Sequence, residues 1–147
     1  MQFDYLVRGI IFAGDKVLLV RQKDGNHTFL PGGHIEEGEK AEAALVREIA
    51  EELGEAATVR TFVGAVENAW VDDCTRIHEI NLVFEAEVPG LNSSKPPESE
   101  EAHLEFLWAD LASLERLNLQ PVPLRQCLRN MKQGYRGFWG TSVEEMA

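Results

Sequence analysis

The sequence is short of cysteine and of long hydrophobic runs, and both shortages exclude classes of protein. Its two cysteines, Cys74 and Cys127, belong to no CxxC pair and to no Cys/His metal spacing, so we expect two reduced thiols with no special role. No apolar run approaches the roughly 18–20 residues that a membrane-spanning helix needs, which predicts no membrane partner. Residues 1–5 lack the basic start and apolar core of a signal peptide, and we therefore expect a cytoplasmic protein.

Positive charge is also scarce. The chain carries 14 Lys and Arg residues against 25 Asp and Glu residues, a formal net charge of −11. This charge would repel a phosphate-rich polymer, so a nucleic acid partner is not expected, whereas a small phosphorylated ligand could bind with metal ions that neutralise it. With 147 residues, 44% of them apolar, the chain is long enough for one sizeable core, which predicts a single domain over 1–147.

The order of apolar patterns predicts an α/β fold. The predicted strands cover 5–12, 16–21, 58–66, 77–88 and 104–108, and the predicted helices cover 40–53, 111–117 and 124–132. The turn signal Gly14-Asp15 predicts that the first two strands form a hairpin. Because strands and helices are interspersed, we expect a mixed sheet with helices packed on its faces. The segment 135–147 is predicted to be a tail, and core or dimer packing of its aromatic residues is favoured over base stacking.

The helix predicted over 40–53 has an apolar side and an acidic side. Its apolar positions recur at helical spacing and are Leu45, Val46, Ile49, Ala50 and Leu53. Glu48, Glu51 and Glu52 share the other side, where like charges three or four residues apart each disfavour the helix by roughly a few tenths of a kcal/mol. The helix alone leaves two interpretations open: a solvated acidic face, or carboxylates neutralised by a bound cation. An oxygen-only donor set suits Mg²⁺ or Mn²⁺ better than zinc.

The spacing of polar residues around this helix decides between the two. From Gly33 it reads Gly-x5-Glu39-x7-Arg47-Glu48-Ile49-x-Glu51-Glu52-x-Gly54. This resembles the Nudix box, G-x5-E-x7-R-E-U-x-E-E-x-G-U with U a bulky apolar residue, at eight of nine specified positions. The departure is Glu55, the last residue of the box 33–55, and we expect it to affect local packing more than chemistry. Residues 30–33 and 103–108 are also similar to the family, so the resemblance covers most of the chain.

The resemblance implies an α/β/α sandwich built on a mixed β-sheet, with the box forming a loop–helix–loop. By position, Glu48, Glu51 and Glu52 correspond to the family's metal-binding and catalytic carboxylates. The backbone carbonyl of Gly32 is a further expected ligand. The implied cofactor is Mg²⁺ or Mn²⁺.

Three other box residues have implied roles around those carboxylates. Arg47 belongs to the catalytic group, and its ion pair with Glu39 is expected to brace the loop against the helix. Gly33 is expected to serve the same structural purpose. The alternative for Arg47 is an ordinary surface arginine.

The implied activity is hydrolysis of a phosphoanhydride bond in a nucleoside diphosphate linked to a group X. Nucleoside triphosphates, ADP-ribose and nucleotide sugars are all such compounds, and the products would be a nucleoside monophosphate and phosphorylated X or pyrophosphate. Divalent ions would neutralise the phosphate oxygens and activate water, and a carboxylate would accept its proton. The alternative is a catalytically inactive nucleotide-binding module of the same fold. Such modules usually lose the box carboxylates, which are all present here.

Family members differ in which residue acts as the base, and some take it from outside the box. The acids that qualify here are Glu98, Glu100, Glu101 and Glu105. We favour Glu105 for a metal or water contact, with a solvated surface acid as the alternative.

Residues outside the box are weaker candidates for substrate contacts. Arg21, at the end of the second strand, could reach a phosphate or form an edge salt bridge. His27 and Phe29 lie just before the box, where they could contact a base. Glu79 and Asn81 are expected to face solvent from a half-buried strand. A homodimer is the default expectation for the assembly.

Overall fold

The computed structural model describes residues 1–145, and Met146 and Ala147 of the predicted tail lie outside them. Within these residues the chain forms eight strands, two α-helices and one turn of 3-10 helix. The strands are β1 Gln2–Ile10, β2 Phe12–Ala13, β3 Lys16–Gln22, β4 Gly32–His34, β5 Thr58–Asp72, β6 Thr75–Glu87, β7 Leu104–Asp110 and β8 Phe138–Thr141. The helices are α1 Ala41–Leu53 and α2 Pro123–Lys132, and the 3-10 turn is Leu111–Ser113.

The strands pair in two sheets. The larger sheet has the order β4-β1-β6-β5-β8 and is mixed, because β1 runs parallel to β6 and β5 runs parallel to β8 while the other pairs are antiparallel. The smaller sheet has the order β2-β3-β7 and is antiparallel throughout. The expected mixed sheet is therefore present, and a second, antiparallel sheet accompanies it.

The two α-helices cover opposite sides of the sheets, as strand β3 shows. Leu18 and Val20 pack in the hydrophobic cluster that contains α1 residues, whereas Val17 and Leu19 pack in the cluster that contains α2 residues. All four side chains are fully buried, as in a strand covered on both faces. These two clusters form the predicted α/β/α sandwich. Neither α-helix of residues 1–145 is long and apolar enough to cross a membrane.

The predicted elements differ from the structure mainly in strand pairing and length. The first predicted strand is interrupted at Ile11, so β1 pairs with β4 and β6 in the larger sheet, and only the short β2 forms a hairpin with β3. The strand predicted over 58–66 continues to Asp72. The helix predicted over 111–117 is a single 3-10 turn. Hydrophobic pattern marks where strands lie but not which sheet receives them, which explains the first difference.

Part of the predicted tail joins the larger sheet. Strand β8 pairs parallel to β5, with Trp139 opposite Ala65. Phe138 packs against the hydrophobic cluster of α2, whereas Tyr135 and Trp139 are exposed. The tail therefore extends the sheet edge and adds one aromatic side chain to the core.

An ion pair joins the segment after the 3-10 turn to α2, and it predicts a pH dependence of stability. Arg129 donates hydrogen bonds of 2.7 Å to each oxygen of Glu115. These bonds lower the pKa of Glu115 from 4.5 to about 2, so the pair stabilises the fold at neutral pH and loses that effect as the pH falls from 4.5 toward 2. We expect Glu115→Gln to unfold at a slightly lower temperature than the wild type at pH 7 and at the same temperature near pH 2. Thermal unfolding followed by circular dichroism at both pH values checks this, and an equal difference at both would contradict it.

Candidate functional site

Helix α1 carries the box glutamates and packs on β1 and β4. Lys40 is its N-cap, so the helix begins at Ala41, one residue later than predicted. Gly54 ends it in the left-handed conformation, φ 68°, and its N–H donates to the carbonyl of Ala50 at 2.9 Å. The predicted glycine stop is confirmed, because a residue without Cβ adopts this conformation without strain.

The three box glutamates differ strongly in exposure. The side chains of Glu51 and Glu48 are 52% and 16% exposed, and Glu52 is only 5% exposed. Val46 and Ala50, predicted on the buried side of the helix, are exposed instead. The buried stripe of α1 therefore includes one of the predicted acidic positions, and the acidic side is not simply a solvated face.

Arg47 joins the loop, the helix and two of the glutamates. Its Nε and Nη2 atoms donate to the two oxygens of Glu39 at 2.8 and 2.9 Å, a bidentate ion pair, and Nη2 also donates to the carbonyl of His34 at 3.0 Å. Its Nη1 atom donates to Glu48 at 3.1 Å and to Glu51 at 3.3 Å. One guanidinium thus fixes the loop before α1 and the orientation of two box carboxylates.

Glu52 is buried beside the half-buried carboxylate of Glu48. The Oε2 atom of Glu52 is buried and has no hydrogen-bond partner among the residues that the structure describes. Burial and the negative charge of Glu48 raise the pKa of Glu52 to about 8, although the positive charge of Arg8 opposes them. Burial also raises the pKa of Glu48. A buried carboxylate without a full set of hydrogen-bond partners destabilises the fold. The raised pKa values therefore indicate that the protein alone does not fully neutralise the charges of Glu48 and Glu52.

These acidic residues fit a hard divalent cation. In residues 1–145, no three Asp, Glu, His or Cys side chains already converge as a closed metal cage would. A closed cage is not required for Mg²⁺, which keeps several waters and usually binds through one or two carboxylates. The unpartnered Oε2 atom of Glu52 beside Glu48 is a carboxylate oxygen available for such an ion.

The two glycines before the helix allow close approach of backbone and side chains. A Cβ atom on Gly33 would lie 2.6 Å from the carboxylate carbon of Glu48. Gly32 has a φ of 144°, and a Cβ atom there would overlap the carbonyl oxygen of Val7. The carboxylate of Glu48 therefore lies directly over the backbone of β4. Metal binding by the Gly32 carbonyl stays a prediction.

The contact between Gly33 and Glu48 predicts the effect of one methyl group. We expect Gly33→Ala to remain folded, because the methyl displaces the end of a flexible side chain. Turnover should nevertheless fall about tenfold to a hundredfold, since a displacement of roughly 1 Å in a catalytic group has effects of that size. Steady-state turnover and thermal unfolding of the same preparation check this, and unchanged turnover would contradict it.

The acids outside the box are not equivalent. Glu105 pairs with Arg21 across β3 and β7 through a 2.6 Å bond between Arg21 Nε and Glu105 Oε1. By contrast, the negative charge of Glu101 acts on Glu52, and the N–H of Glu100 donates to the carbonyl of Glu52 at 2.8 Å. The structure therefore brings the 100–101 segment to the end of α1. Glu105, the acid favoured from the sequence, instead forms a salt bridge with Arg21. This is the edge salt bridge that was the alternative role for Arg21.

A pocket of about 490 Å³ opens on the α2 side of the larger sheet, within the size range of small-molecule sites. Its wall includes Arg8, His27, Phe29, Trp70, Glu79 and Gln120. His27 and Phe29, predicted near a base, are thus part of this wall, whereas Arg21 is not. The sequence interpretation missed Arg8, the one charged residue in an otherwise apolar stretch of β1.

The strand residues Glu79 and Asn81 are buried, so the expectation that they face solvent is wrong. Glu79 is 7% exposed and Asn81 is 0% exposed. Glu79 accepts hydrogen bonds from the side-chain N–H groups of Asn68 at 3.1 Å, Trp70 at 3.2 Å and Asn81 at 3.3 Å. Both side chains face the pocket side of the sheet. The carboxylate of Glu79 can be buried there because three N–H donors satisfy it.

The chain resembles known proteins in sequence. A NUDIX domain model matches residues 5–131. The chain is 38% identical over 116 residues to an ADP-ribose pyrophosphatase of Methanocaldococcus jannaschii, covering 76% of this chain and 64% of that protein. It therefore spans less than two thirds of that relative's length.

Solved structures show the same fold. A UDP-X diphosphatase is 21% identical, with a TM-score of 0.69 over 95% of this chain and 68% of that one. A NUDIX hydrolase from Nitrosomonas europaea is 20% identical, with a TM-score of 0.71 over 92% of this chain and 93% of that one. These structures share the fold of the chain, and the domain match over residues 5–131 shows that the chain belongs to the Nudix family.

Proposed function

We propose that this chain is a divalent-metal-dependent hydrolase that cleaves the phosphoanhydride bond of a nucleoside diphosphate linked to a group X. The products are a nucleoside monophosphate and phosphorylated X. The observation that carries the proposal is the buried Oε2 atom of Glu52, which has no hydrogen-bond partner among the described residues and lies beside the half-buried carboxylate of Glu48.

Nudix hydrolases typically depend on a divalent metal, and the proposed ion here is Mg²⁺ or Mn²⁺. Glu48, Glu51 and Glu52, with the carbonyl of Gly32, would hold it. When bound, such an ion supplies neutralisation of the phosphate oxygens and a lowered pKa for attacking water. The oxygen donors of this site and the unpartnered Oε2 atom of Glu52 support the assignment.

The residues of the chain divide the remaining tasks. The pocket with His27 and Phe29 takes the nucleoside, with the aromatic ring of Phe29 as a surface for the base. Arg47 and Glu39 keep the loop before α1 and the carboxylate of Glu48 in place. A carboxylate of the box, or Glu101 next to Glu52, accepts the proton of the attacking water.

The proposed substrate class is ADP-ribose and related compounds, because the relative with 38% identity over 116 residues is an ADP-ribose pyrophosphatase. Nucleoside triphosphates and nucleotide sugars are the alternatives. The test is a screen of ADP-ribose, nucleoside triphosphates, nucleotide sugars and dinucleoside polyphosphates with Mg²⁺, in which released monophosphate or phosphate is measured.

Hydrolysis of ADP-ribose to AMP and ribose 5-phosphate is the expected result. Preference for a triphosphate would correct the substrate class and leave the enzyme assignment standing. Nucleotide binding without turnover of any compound would favour the inactive binding module instead. A cytoplasmic location and a homodimer stay predictions.

A further inference from the structure

Arg8 lies at the junction of the pocket and the glutamate helix. It is in β1, opposite Gly32 of β4 on one side and Val83 of β6 on the other. Its Nε atom donates to the side-chain oxygen of Asn81 at 3.2 Å, and its Nη1 atom donates to the carbonyl of Leu30 at 3.1 Å. No hydrogen bond within residues 1–145 uses its Nη2 atom. The guanidinium therefore keeps donor capacity after its structural bonds are made.

The charge of Arg8 is also not consumed by an ion pair. The carboxylates of Glu79, Glu52 and Glu48 all act on it, yet none of them lies within 4.0 Å of its nitrogen atoms. In this it differs from Arg47 and Arg129, whose guanidinium groups bind carboxylates directly. Arg8 is thus a half-buried, fixed positive charge near three carboxylates, with no direct anionic partner in the described chain.

Buried neighbours hold Arg8 in this orientation. Asn81 accepts from Arg8 through its side-chain oxygen and donates through its amide nitrogen to Glu79 at 3.3 Å and to the carbonyl of Val66 at 3.4 Å. Glu79 is in turn fixed by Asn68 and Trp70. Because every link is a directional hydrogen bond, Nε is fixed toward Asn81 and Nη1 toward the carbonyl of Leu30, which leaves the Nη2 atom for a ligand.

We propose that Arg8 binds the diphosphate of the substrate at the point where it passes from the nucleoside pocket to the glutamates of α1. The proposal rests on the proposed function and names a specificity-determining residue outside the Nudix box. A guanidinium suits this task because its planar donors bind phosphate oxygens strongly, and a charge-assisted hydrogen bond is stronger still when it is buried.

The test compares binding of adenosine and ADP to the full-length chain, by calorimetry with a chelator present so that no hydrolysis competes. We expect the wild type to bind ADP at least about tenfold more tightly than adenosine, since a charge-assisted hydrogen bond has effects of about tenfold to a hundredfold. Arg8→Met should remove most of that preference, because it lowers the affinity for ADP much more than the affinity for adenosine. Arg60→Met, which removes an arginine paired with Glu87 on the exposed edge of β5, is the matched control and should behave as wild type.

Each outcome decides for or against Arg8. A wild type that binds ADP no better than adenosine overturns the proposal, as does an Arg8→Met variant that keeps the preference. An equal loss of affinity for adenosine and for ADP shows a structural role and also overturns it. If Arg8→Met does not fold, Arg8→Lys carries the test, because it keeps the charge without the planar donors and should weaken ADP about tenfold without weakening adenosine. Hydrolysis of no compound in the substrate screen would refute the proposed function and still leave this binding ratio measurable.

Discussion

Replacing Glu52 with glutamine is expected to lower turnover about a thousandfold, the equivalent of roughly 4 kcal/mol of transition-state stabilisation. Glu52 supplies the buried carboxylate oxygen that has no partner within the described residues, so its loss removes a proposed metal ligand without opening a cavity. The same change should stabilise the metal-free protein, because it removes a buried charge that Glu48 repels. At pH 9, where this carboxyl group is ionised, we expect a gain of about 1–3 kcal/mol in the free energy of unfolding.

The expected loss of turnover and gain of stability distinguish Glu52→Gln from a variant that misfolds. A variant that simply misfolds loses activity and stability together, whereas Glu52→Gln should lose activity while gaining thermal stability in chelator. Turnover with Mg²⁺ and thermal unfolding without it are the two measurements. Glu42→Gln, an exposed acid in the first turn of the same helix, is the control and should change neither. Near-normal turnover of Glu52→Gln would remove Glu52 from the metal site.

The sequence was sufficient for the parts of the site that lie within one short segment. Arg47 and the glutamates of α1 are separated by fixed numbers of residues, so helical geometry brings them together wherever the helix is placed, and Glu39 lies in the short loop directly before that helix. The observed bonds from Arg47 to Glu39, Glu48 and Glu51 are all of this local kind. Residue spacing therefore indicated the glutamate cluster before any tertiary contact was known.

The parts of the site that depend on strand register could not be found in this way. Arg8 reaches Asn81 only because β1 runs parallel to β6, with Leu6 opposite Asn81. Glu105 pairs with Arg21 because β3 and β7 place them opposite each other, although 84 positions separate them in the chain. A shift of one residue in either pairing would send these side chains to the other face of the sheet. A single sequence does not specify that register.

The burial of Glu52 could not be predicted either, because it also depends on tertiary packing. A helical wheel shows which residues share a side of α1, but the boundary of the buried stripe depends on how the helix is rotated against the sheet. Here the rotation buries Glu52 and exposes Val46 and Ala50. The positive charge of Arg8 from β1 partly compensates the buried carboxylate, so the two features missed by the sequence belong together.

Removing Arg47 is expected to have the second largest effect, because one guanidinium serves both the fold and the site. We expect Arg47→Met to lower the free energy of unfolding by about 1–3 kcal/mol, since it removes several charge-assisted hydrogen bonds from a side chain that is 27% exposed. Turnover should fall about a hundredfold, because Glu48 loses the donor that orients its carboxylate. Denaturant unfolding and steady-state kinetics measure the two effects separately.

A second substitution distinguishes bracing from catalysis. Glu39→Gln removes the other half of the ion pair and leaves the bonds from Arg47 to Glu48 and Glu51 possible. It should therefore destabilise the protein with a smaller loss of turnover, and adding it to Arg47→Met should cost little further stability, because both changes break the same contact. Arg129→Met, which removes a similar bidentate pair far from the box, should leave turnover unchanged. Normal turnover in Arg47→Met would show that the orientation of Glu48 does not depend on this bond, and would confine Arg47 to the fold.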